Sequence, residues 1–397
     1  MDFWWILYII DWALFIPMAI TVIYLLFFSI AALFKHKAPA PKAKQENRFI
    51  VIIPSYRDDM LIFDTVNSIL GQTYPQRMFD IVVVSDHQSE MTNMRLAQLP
   101  ITLLTPHFEE SSKAKSLQFA IINLPQFKIY DAVIVLDAGN IVVPEFLEMM
   151  NNAYEASGTK VVQPHRVARN LDTSTARLDA IFSEINNSVF RRGHTSVGLS
   201  SSLDGSGYLF NFAWFKQNIM KIRSLVGEDK ELEAMLMHEG IFIDYADDIL
   251  VYDYKANDWK AFNKERGQWI YNQLHCLLTN IRFLPAAVMN RRYDWIDKLL
   301  QWTMMPRTVM IAFLTIMSCT LPFIYFTLAI KWWFFAALAL LACSIATPDY
   351  LVTKDWDKDF LNAPLVTIGS LYQFVRASRK GVEVRISNIS HKLKYHR

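Results

Sequence analysis

The stretch Asp131-Ala-Val-Ile-Val-Leu-Asp137-Ala-Gly-Asn140 decides the fold. Residues 132–136 are unbroken apolar, the mark of a strand buried on both faces in a parallel sheet covered by helices. Asp137 then falls on the C-terminal edge of that sheet, where open α/β sheets bind ligands. Two earlier stretches repeat the arrangement. Phe79-Asp-Ile-Val-Val-Val-Ser-Asp86 also ends in a carboxylate, and Phe49-Ile-Val-Ile-Ile-Pro54-Ser-Tyr56 ends in a turn. Three strand tips that present polar groups to one rim imply a binding site.

Outward from these strands, the pattern alternates. Strands are expected at 49–53, 79–85, 101–105, 131–136 and 160–163, and helices at 58–70, 112–123 and 144–156. The alternation argues for a mostly parallel, doubly wound, Rossmann-like α/β sheet. The second half is less regular: a helix near 174–191, a Gly-rich loop, a helix at 228–238 and strand-like runs at 241–254.

Apolar residues make up 52% of the 397-residue chain, and the mean hydropathy is +0.16, so a membrane part is expected beside the α/β domain. Trp12 to Phe34 carries no charge over 23 residues, enough at about 1.5 Å per residue to cross a hydrocarbon core of roughly 30 Å. Asp2 and Asp11 precede it without a positive charge, which argues against a signal peptide. Thr308 to Ile330 and Trp332 to Thr347 read as a hairpin of two further spans, divided at Lys331. These three uncharged spans mark no transport pathway, so a transporter is a poor reading. Lys35, Lys37, Lys42, Lys44 and Arg48 follow the first span. Arg376, Arg379, Lys380, Arg385, Lys392, Lys394 and Arg397 follow the last. Both flanks are expected on the cytoplasmic side of a cell membrane and the N-terminus outside.

Ala38-Pro-Ala-Pro-Lys-Ala-Lys44 is a linker by composition. Ile270, Leu274, Leu277, Leu278 and Ile281 recur at helical spacing, as do Trp295, Ile296, Leu299, Leu300 and Trp302. Both are expected as amphipathic helices at the membrane interface. Leu365, Ile368, Leu371, Tyr372 and Val375 read the same way near the C-terminus. The expected organisation is a transmembrane helix at 1–34, a basic linker at 35–48 and the α/β domain at 49–268. Interfacial helices at 269–307, the hairpin at 308–347 and a cytoplasmic region at 348–397 complete it. Cys276, Cys319 and Cys343 have neither metal-ligand spacing nor a disulfide framework. The net charge of +2 says little about partners, and no nucleic acid is expected among them.

The sequence has no P-loop and no Gly-x-Gly-x-x-Gly after its first strand, so the usual phosphate cradles are missing. Pro54, Ser55, Tyr56, Asp86 and Asp137 could hold a nucleotide instead. Carboxylates suit ribose hydroxyls, base N–H groups, or a divalent ion that neutralises a diphosphate. Taken singly, each carboxylate is as well read as a helix cap or turn residue. Their shared rim favours the site.

Several motifs together resemble a membrane-bound, inverting glycosyltransferase of family two with a GT-A domain, similar to exopolysaccharide-type members. They are Ile52-Ile53-Pro54-Ser55-Tyr56-Arg57-Asp58, Ser68-Ile69-Leu70-Gly71-Gln72-Thr73-Tyr74-Pro75, Val83-Val84-Ser85-Asp86 and Ser112-Lys113-Ala114-Lys115-Ser116-Leu117. Leu136-Asp137-Ala138-Gly139-Asn140, Leu203-Asp204-Gly205-Ser206-Gly207-Tyr208 and Gly227-Glu228-Asp229-Lys230 complete the set. The resemblance covers nearly the whole chain.

The resemblance implies Asp229 as catalytic base. It implies Pro54, Ser55, Tyr56, Asp58, Asp86, Lys113, Asp137, Ala138 and Arg266 at the donor, a UDP-sugar foremost. It implies Gly205, Ser206, Gly207, Glu228 and Trp269 at a lipid-linked or glycan acceptor. A divalent metal, Mg or Mn, is implied on Asp137. Membrane lipids are implied as surroundings, with a homo-oligomer or an export partner as further possibilities. Two departures stand out. Gly139 replaces the second Asp of the Asp-x-Asp motif, leaving Asn140 or a neighbouring carboxylate to substitute. Glu265-Arg266-Gly267-Gln268-Trp269 stands where the family has Gln-x-x-Arg-Trp, which favours a non-processive enzyme. The competing reading is a catalytically reduced, nucleotide-sugar-binding subunit of a glycan-assembly complex. A nucleotidyltransferase fits the sheet pattern but not the Gly205 loop or the Glu228-Asp229 pair.

Overall fold

A computed structural model of the chain describes residues 3–34, 38–223, 227–352, 369 and 372–376. The chain divides into two compact units. His36–Asn170 with Val197–Lys255 forms an α/β unit, and Met1–Lys35, Leu171–Ser196 and Ala256–Arg397 form a helical one.

The α/β unit is built on one eight-stranded sheet. Its strands are β1 (Phe49–Tyr56), β2 (Phe79–Asp86), β3 (Thr102–Leu104), β4 (Ala132–Val135), β5 (Ile141–Val142), β6 (Val161–Ala168), β7 (Leu209–Asn211) and β8 (Ile243–Asp253). The order is β3-β2-β1-β4-β7-β6-β8-β5. β1 runs parallel to both β2 and β4, as their uniformly apolar sequences require: residues 49–53 and 132–135 are wholly buried. The helix Ile62–Leu70 covers them with Ile62, Val66 and Ile69. The helix Lys113–Ile122 starts where Ser112 caps it, its side chain accepting from the Lys115 N–H.

The sheet is GT-A-like and more mixed than strand–helix alternation suggests. β7 pairs antiparallel with both β4 and β6, and β5 pairs antiparallel with β8. Neither has enough residues to show a strand period, so neither was expected. β7 also follows directly on a loop of three glycine-punctuated residues, which masks it.

In the helical unit, Trp5–Phe34, Arg307–Ile324 and Phe326–Ala346 are long and apolar enough to cross a membrane. The break between the last two falls at Tyr325, not at Lys331. Lys331 stays helical because its charge is met. Its ammonium contacts Asp11 and sits 4.0 and 4.6 Å from the ring centres of Trp12 and Phe15. Asp11 also accepts from the Trp332 indole at 2.8 Å. The candidate spans therefore do contain charge, as a matched pair.

The helix expected near 174–191 is real but changes character, running as α-helix over Ser174–Asn186 and as π-helix over Asn187–Gly193. Gly193 meets the first apolar helix backbone to backbone: a Cβ there would lie 2.3 Å from the Phe28 carbonyl oxygen. On the helix Tyr293–Thr303, Trp295, Leu299 and Trp302 are buried. Leu300, on the same helix, is exposed. Val288, Met289 and Tyr293 are exposed. Of the C-terminal amphipathic helix, Tyr372–Arg376 is helical. Leu365, Ile368, Leu371 and the basic residues from Arg379 onward lie outside the described residues, as do Lys35 and Lys37.

Candidate active site

Parallel strands in register end together. Tyr56 stands opposite Asp86, and Ile52 opposite Val135, so the tips of β1, β2 and β4 share one edge. At the β1–β2 corner, Asp86 is buried and its Oδ1 lies 2.6 Å from His87 Nδ1. Arg57 and His87 both take positive φ, 56° and 57°, a sparsely populated conformation for non-glycine residues. The sharp turns bring the Tyr56 and His87 rings edge to face at 5.7 Å. Ser55 is buried and accepts from the Gln88 amide. Pro54 is buried within β1, and Tyr56 is 47% exposed. An exposed aromatic ring beside a buried carboxylate is suited to stack a flat heterocycle and accept from its N–H groups. His87 was not singled out from the sequence; its adjacency to Asp86 was the one available signal. Asp58, one turn on, is pushed above the ordinary carboxylate value by burial, with the Asp137 charge adding to it.

At the β4 corner, Lys113 is the organising group. Its ammonium contacts Asp137 Oδ1, donates to the Gly205 carbonyl at 2.6 Å and lies 3.6 Å from Glu228 Oε1. Burial works against its charge, but Asp137 and Glu228 outweigh that and hold its pKa above the usual lysine value. A cation at the first turn of a helix opposes the helix dipole, so these carboxylates are needed to keep it there.

Glu228 and Asp229 open the helix Glu228–Glu239, preceded by Gly227 at φ 87°. Burial raises Glu228 to about 7; Lys113 opposes this and Asp229 adds to it. Asp229 is also raised, first by burial and then by Glu233, against the pull of Lys230 and Lys113. Gly205, at φ 71°, lies against this pair: a Cβ there would sit 3.8 Å from Asp229 Oδ2. The glycine loop and the carboxylate pair are thereby brought together with Lys113 and Asp137.

The residues beneath are held in a closed network. The Ser206 hydroxyl donates to Asn140 Oδ1 at 2.5 Å and accepts from the Asp137 N–H at 2.8 Å. The Asn140 amide donates to Asp253 Oδ1 at 2.9 Å. Asp253 Oδ2 accepts from Arg166 at 2.6 Å and from Lys255 at 3.1 Å. Burial would raise Asp253, but these two cations outweigh it and draw it down to about 2. Asn140 and Ser206 are fully buried. Asn140 thus holds the strand tip and has nothing left to offer an ion, and the neighbouring carboxylate Asp253 is bound to two cations. Gly207, at φ 77°, closes the loop where a Cβ would meet Pro164 at 3.0 Å. Ala138 is half-buried on the turn beside Asp137. None of this network was visible in the sequence, because its members are separated by tens of residues.

Among the described residues no group of three or more His, Cys, Asp or Glu side chains could hold a metal ion. Asp137 is the one carboxylate of its motif, and Lys113 stands on it. These residues do not fit a protein-held divalent ion.

Arg266 and Trp269 belong to the helical unit, on the helix Trp259–Asn280. Arg266 is bound to Asp179 at 2.7 Å and packed against the rings of Phe182, Phe262 and Trp269 at 4.7–5.2 Å. Trp269 is half-exposed.

Among solved structures, the chain is similar to the mannosyltransferase PcManGT from Pyrobaculum calidifontis, in complex with GDP-Man and Mn2+. The TM-score is 0.56 at 17% identity, over 92% of this chain and 98% of that one. It also matches S. aureus TarS 1-349 in complex with UDP-GlcNAc, with a TM-score of 0.41 at 16% identity over 86% and 92% of the two chains. At these identities the first likeness concerns the fold. No curated protein matches the chain by sequence. Residues 47–272 match the model of the family described as glycosyltransferase like family 2, and the chain belongs to that family.

Proposed function

We propose that the chain transfers a sugar from a nucleotide-diphosphate sugar, a UDP-sugar foremost, to an acceptor presented at a membrane, with inversion at the anomeric carbon. The observation that carries this reading is the meeting of Asp229, Glu228, Gly205, Lys113 and Asp137 at one sheet edge. The Tyr56–Asp86–His87 corner lies on the strand tips next to it. The nucleotide base is assigned to that corner and the diphosphate to the Lys113 corner. The GDP-Man in the similar mannosyltransferase agrees with a nucleotide-sugar donor.

In the step itself, an acceptor hydroxyl oxygen forms a bond to the anomeric carbon while the bond from that carbon to the diphosphate oxygen breaks. The electron pair leaves with the diphosphate. Asp229 takes the hydroxyl proton as general base, and attack opposite the leaving group inverts the centre. Glu228, raised to about 7, keeps a proton near neutrality and so spares Asp229 a second adjacent charge. Gly205 leaves room for the acceptor hydroxyl to reach that carboxylate. Ser206 and Gly207 shape the loop rather than meet the acceptor, since both are buried.

Three apolar helices support a membrane-bound enzyme, and the basic residues after the first support a cytoplasmic catalytic unit with the N-terminus outside. Three spans are too few to enclose a broad polymer channel, and the altered Gln-x-x-Arg-Trp motif removes a processive feature. A non-processive transfer to a lipid-linked or glycan acceptor follows. The test is the anomeric configuration of the product, read by NMR with the full chain in lipid. Inversion is expected, with Asp229→Asn slower by about a hundredfold or more. Retention, or an undiminished Asp229→Asn, would overturn the mechanism.

A further inference from the structure

Families that hold a diphosphate with a metal ion do so through carboxylates free to bind it. Here the second carboxylate position is Gly139, at φ 96°, with its N–H donating to Thr65 Oγ1 at 2.8 Å. A Cβ at that position would press on Leu61 at 3.3 Å. The turn has therefore settled into a conformation suited to glycine, and restoring Asp would strain it. The two substitutes open to it are both committed, Asn140 to Ser206 and Asp253, and Asp253 to Arg166 and Lys255. What remains at Asp137 is a resident cation, the Lys113 ammonium. It is half-buried and fixed by Asp137, by the Gly205 carbonyl and by Glu228.

We propose that this chain balances the charge of the leaving diphosphate with the Lys113 ammonium in place of a divalent ion, Asp137 serving to aim that ammonium. The inference rests on the glycosyl-transfer reading above. As the bond from the anomeric carbon to the diphosphate oxygen breaks, the pair of electrons accumulates on that oxygen. Lys113 donates a charge-assisted hydrogen bond to it. No proton is transferred from Lys113, whose raised pKa keeps it charged throughout. The same ammonium faces Glu228, so one cation serves both the leaving group and the carboxyl group beside the base.

The test is nucleotide-diphosphate binding by the full-length chain in lipid, using UDP and GDP, by calorimetry in EDTA and again in excess Mn2+. Affinity for the preferred nucleotide is expected to agree between the two conditions within about threefold. Lys113→Gln is expected to weaken it by about tenfold or more, and Lys113→Arg to keep most of it. Thermal unfolding of each variant reports whether it is folded. If Lys113→Gln does not fold, the EDTA comparison on the unaltered chain decides alone. Binding that needs Mn2+ by tenfold or more overturns the cation assignment and leaves the glycosyl-transfer reading standing. Binding of neither nucleotide under either condition overturns both.

Discussion

Two lysine–aspartate contacts, one in each unit, show how surroundings decide what an ion pair does. Lys331 and Asp11 meet among apolar helices, with Asp11 only 3% exposed and the rings of Trp12, Phe15 and Trp332 around them. Lys113 and Asp137 meet at the tip of β4, with the Asp137 side chain 36% exposed and further acceptors, Gly205 and Glu228, within reach. The two lysine side chains are equally exposed, 20% and 21%, so the contrast lies in the carboxylate: Asp11 is sealed and its pair fixes helices, while Asp137 reaches the surface. In the second pair, the ammonium donates to Asp137 and to the Gly205 carbonyl while Glu228 stays 3.6 Å away, which leaves an N–H for a further acceptor, so it can work. A buried pair resists loss of either partner because the survivor is left charged in a low-dielectric place. Where the carboxylate left behind reaches water, as Asp137 does, the cation can be removed with less damage to the fold.

The largest contrast is expected in stability. Lys331→Met should destabilise the protein by about 3–5 kcal/mol, by stranding the Asp11 charge. Replacing both, as Lys331→Met with Asp11→Leu, should recover most of that loss, because two apolar side chains can fill the same space. Thermal unfolding in lipid measures both. A single variant as stable as the parent would show that Asp11 is solvated. The second expected effect is catalytic. Lys113→Gln should lower transfer by about tenfold to a hundredfold, the loss of a charge-assisted contact to the leaving group. Its unfolding temperature should fall far less than that of Lys331→Met. A Lys113→Gln variant that unfolds as readily would erase the distinction between the two pairs.

A smaller effect concerns pH. Glu228 has its folded value raised from 4.5 to about 7 by burial. Between those values the folded protein keeps a proton that the unfolded chain has released. Its contribution to stability is therefore complete below about 4.5 and is lost as pH rises through 7. Glu228→Gln should flatten that decline in unfolding temperature. It should leave the acidic limb of the transfer rate in place, since a protonated Glu228 is already a neutral neighbour where Asp229 ionises. A limb that moves to lower pH would mean that Glu228 is charged while Asp229 titrates.

The parts of the fold that could be read from the sequence were those where one local pattern sufficed. The apolar runs at 49–53, 81–84 and 132–135 are buried strands because no other element hides five or four consecutive apolar residues so fully. The carboxylates at their tips follow from register. Arrangements that depend on distant partners were not legible. The three-residue β7 makes the sheet mixed, yet it has too few residues to show a period. Lys331 resembled a turn because its partner, Asp11, lies 320 residues earlier. Asn140 looked available until Ser206 and Asp253 were found on it. Lys113 was expected near the donor from its motif, but its hold on Asp137 shows only when the tip of β4 and the start of its helix come together.

The most direct test of the central claim is nucleotide release by the purified full-length chain in lipid. A panel of UDP- and GDP-sugars is supplied with a membrane extract as acceptor source, in EDTA and in Mn2+. Release from one donor, at similar rates in both conditions, is the expected result: an active glycosyltransferase that carries its own cation. Binding of nucleotide without release from any donor would contradict it and favour a nucleotide-sugar-binding subunit of a glycan-assembly complex.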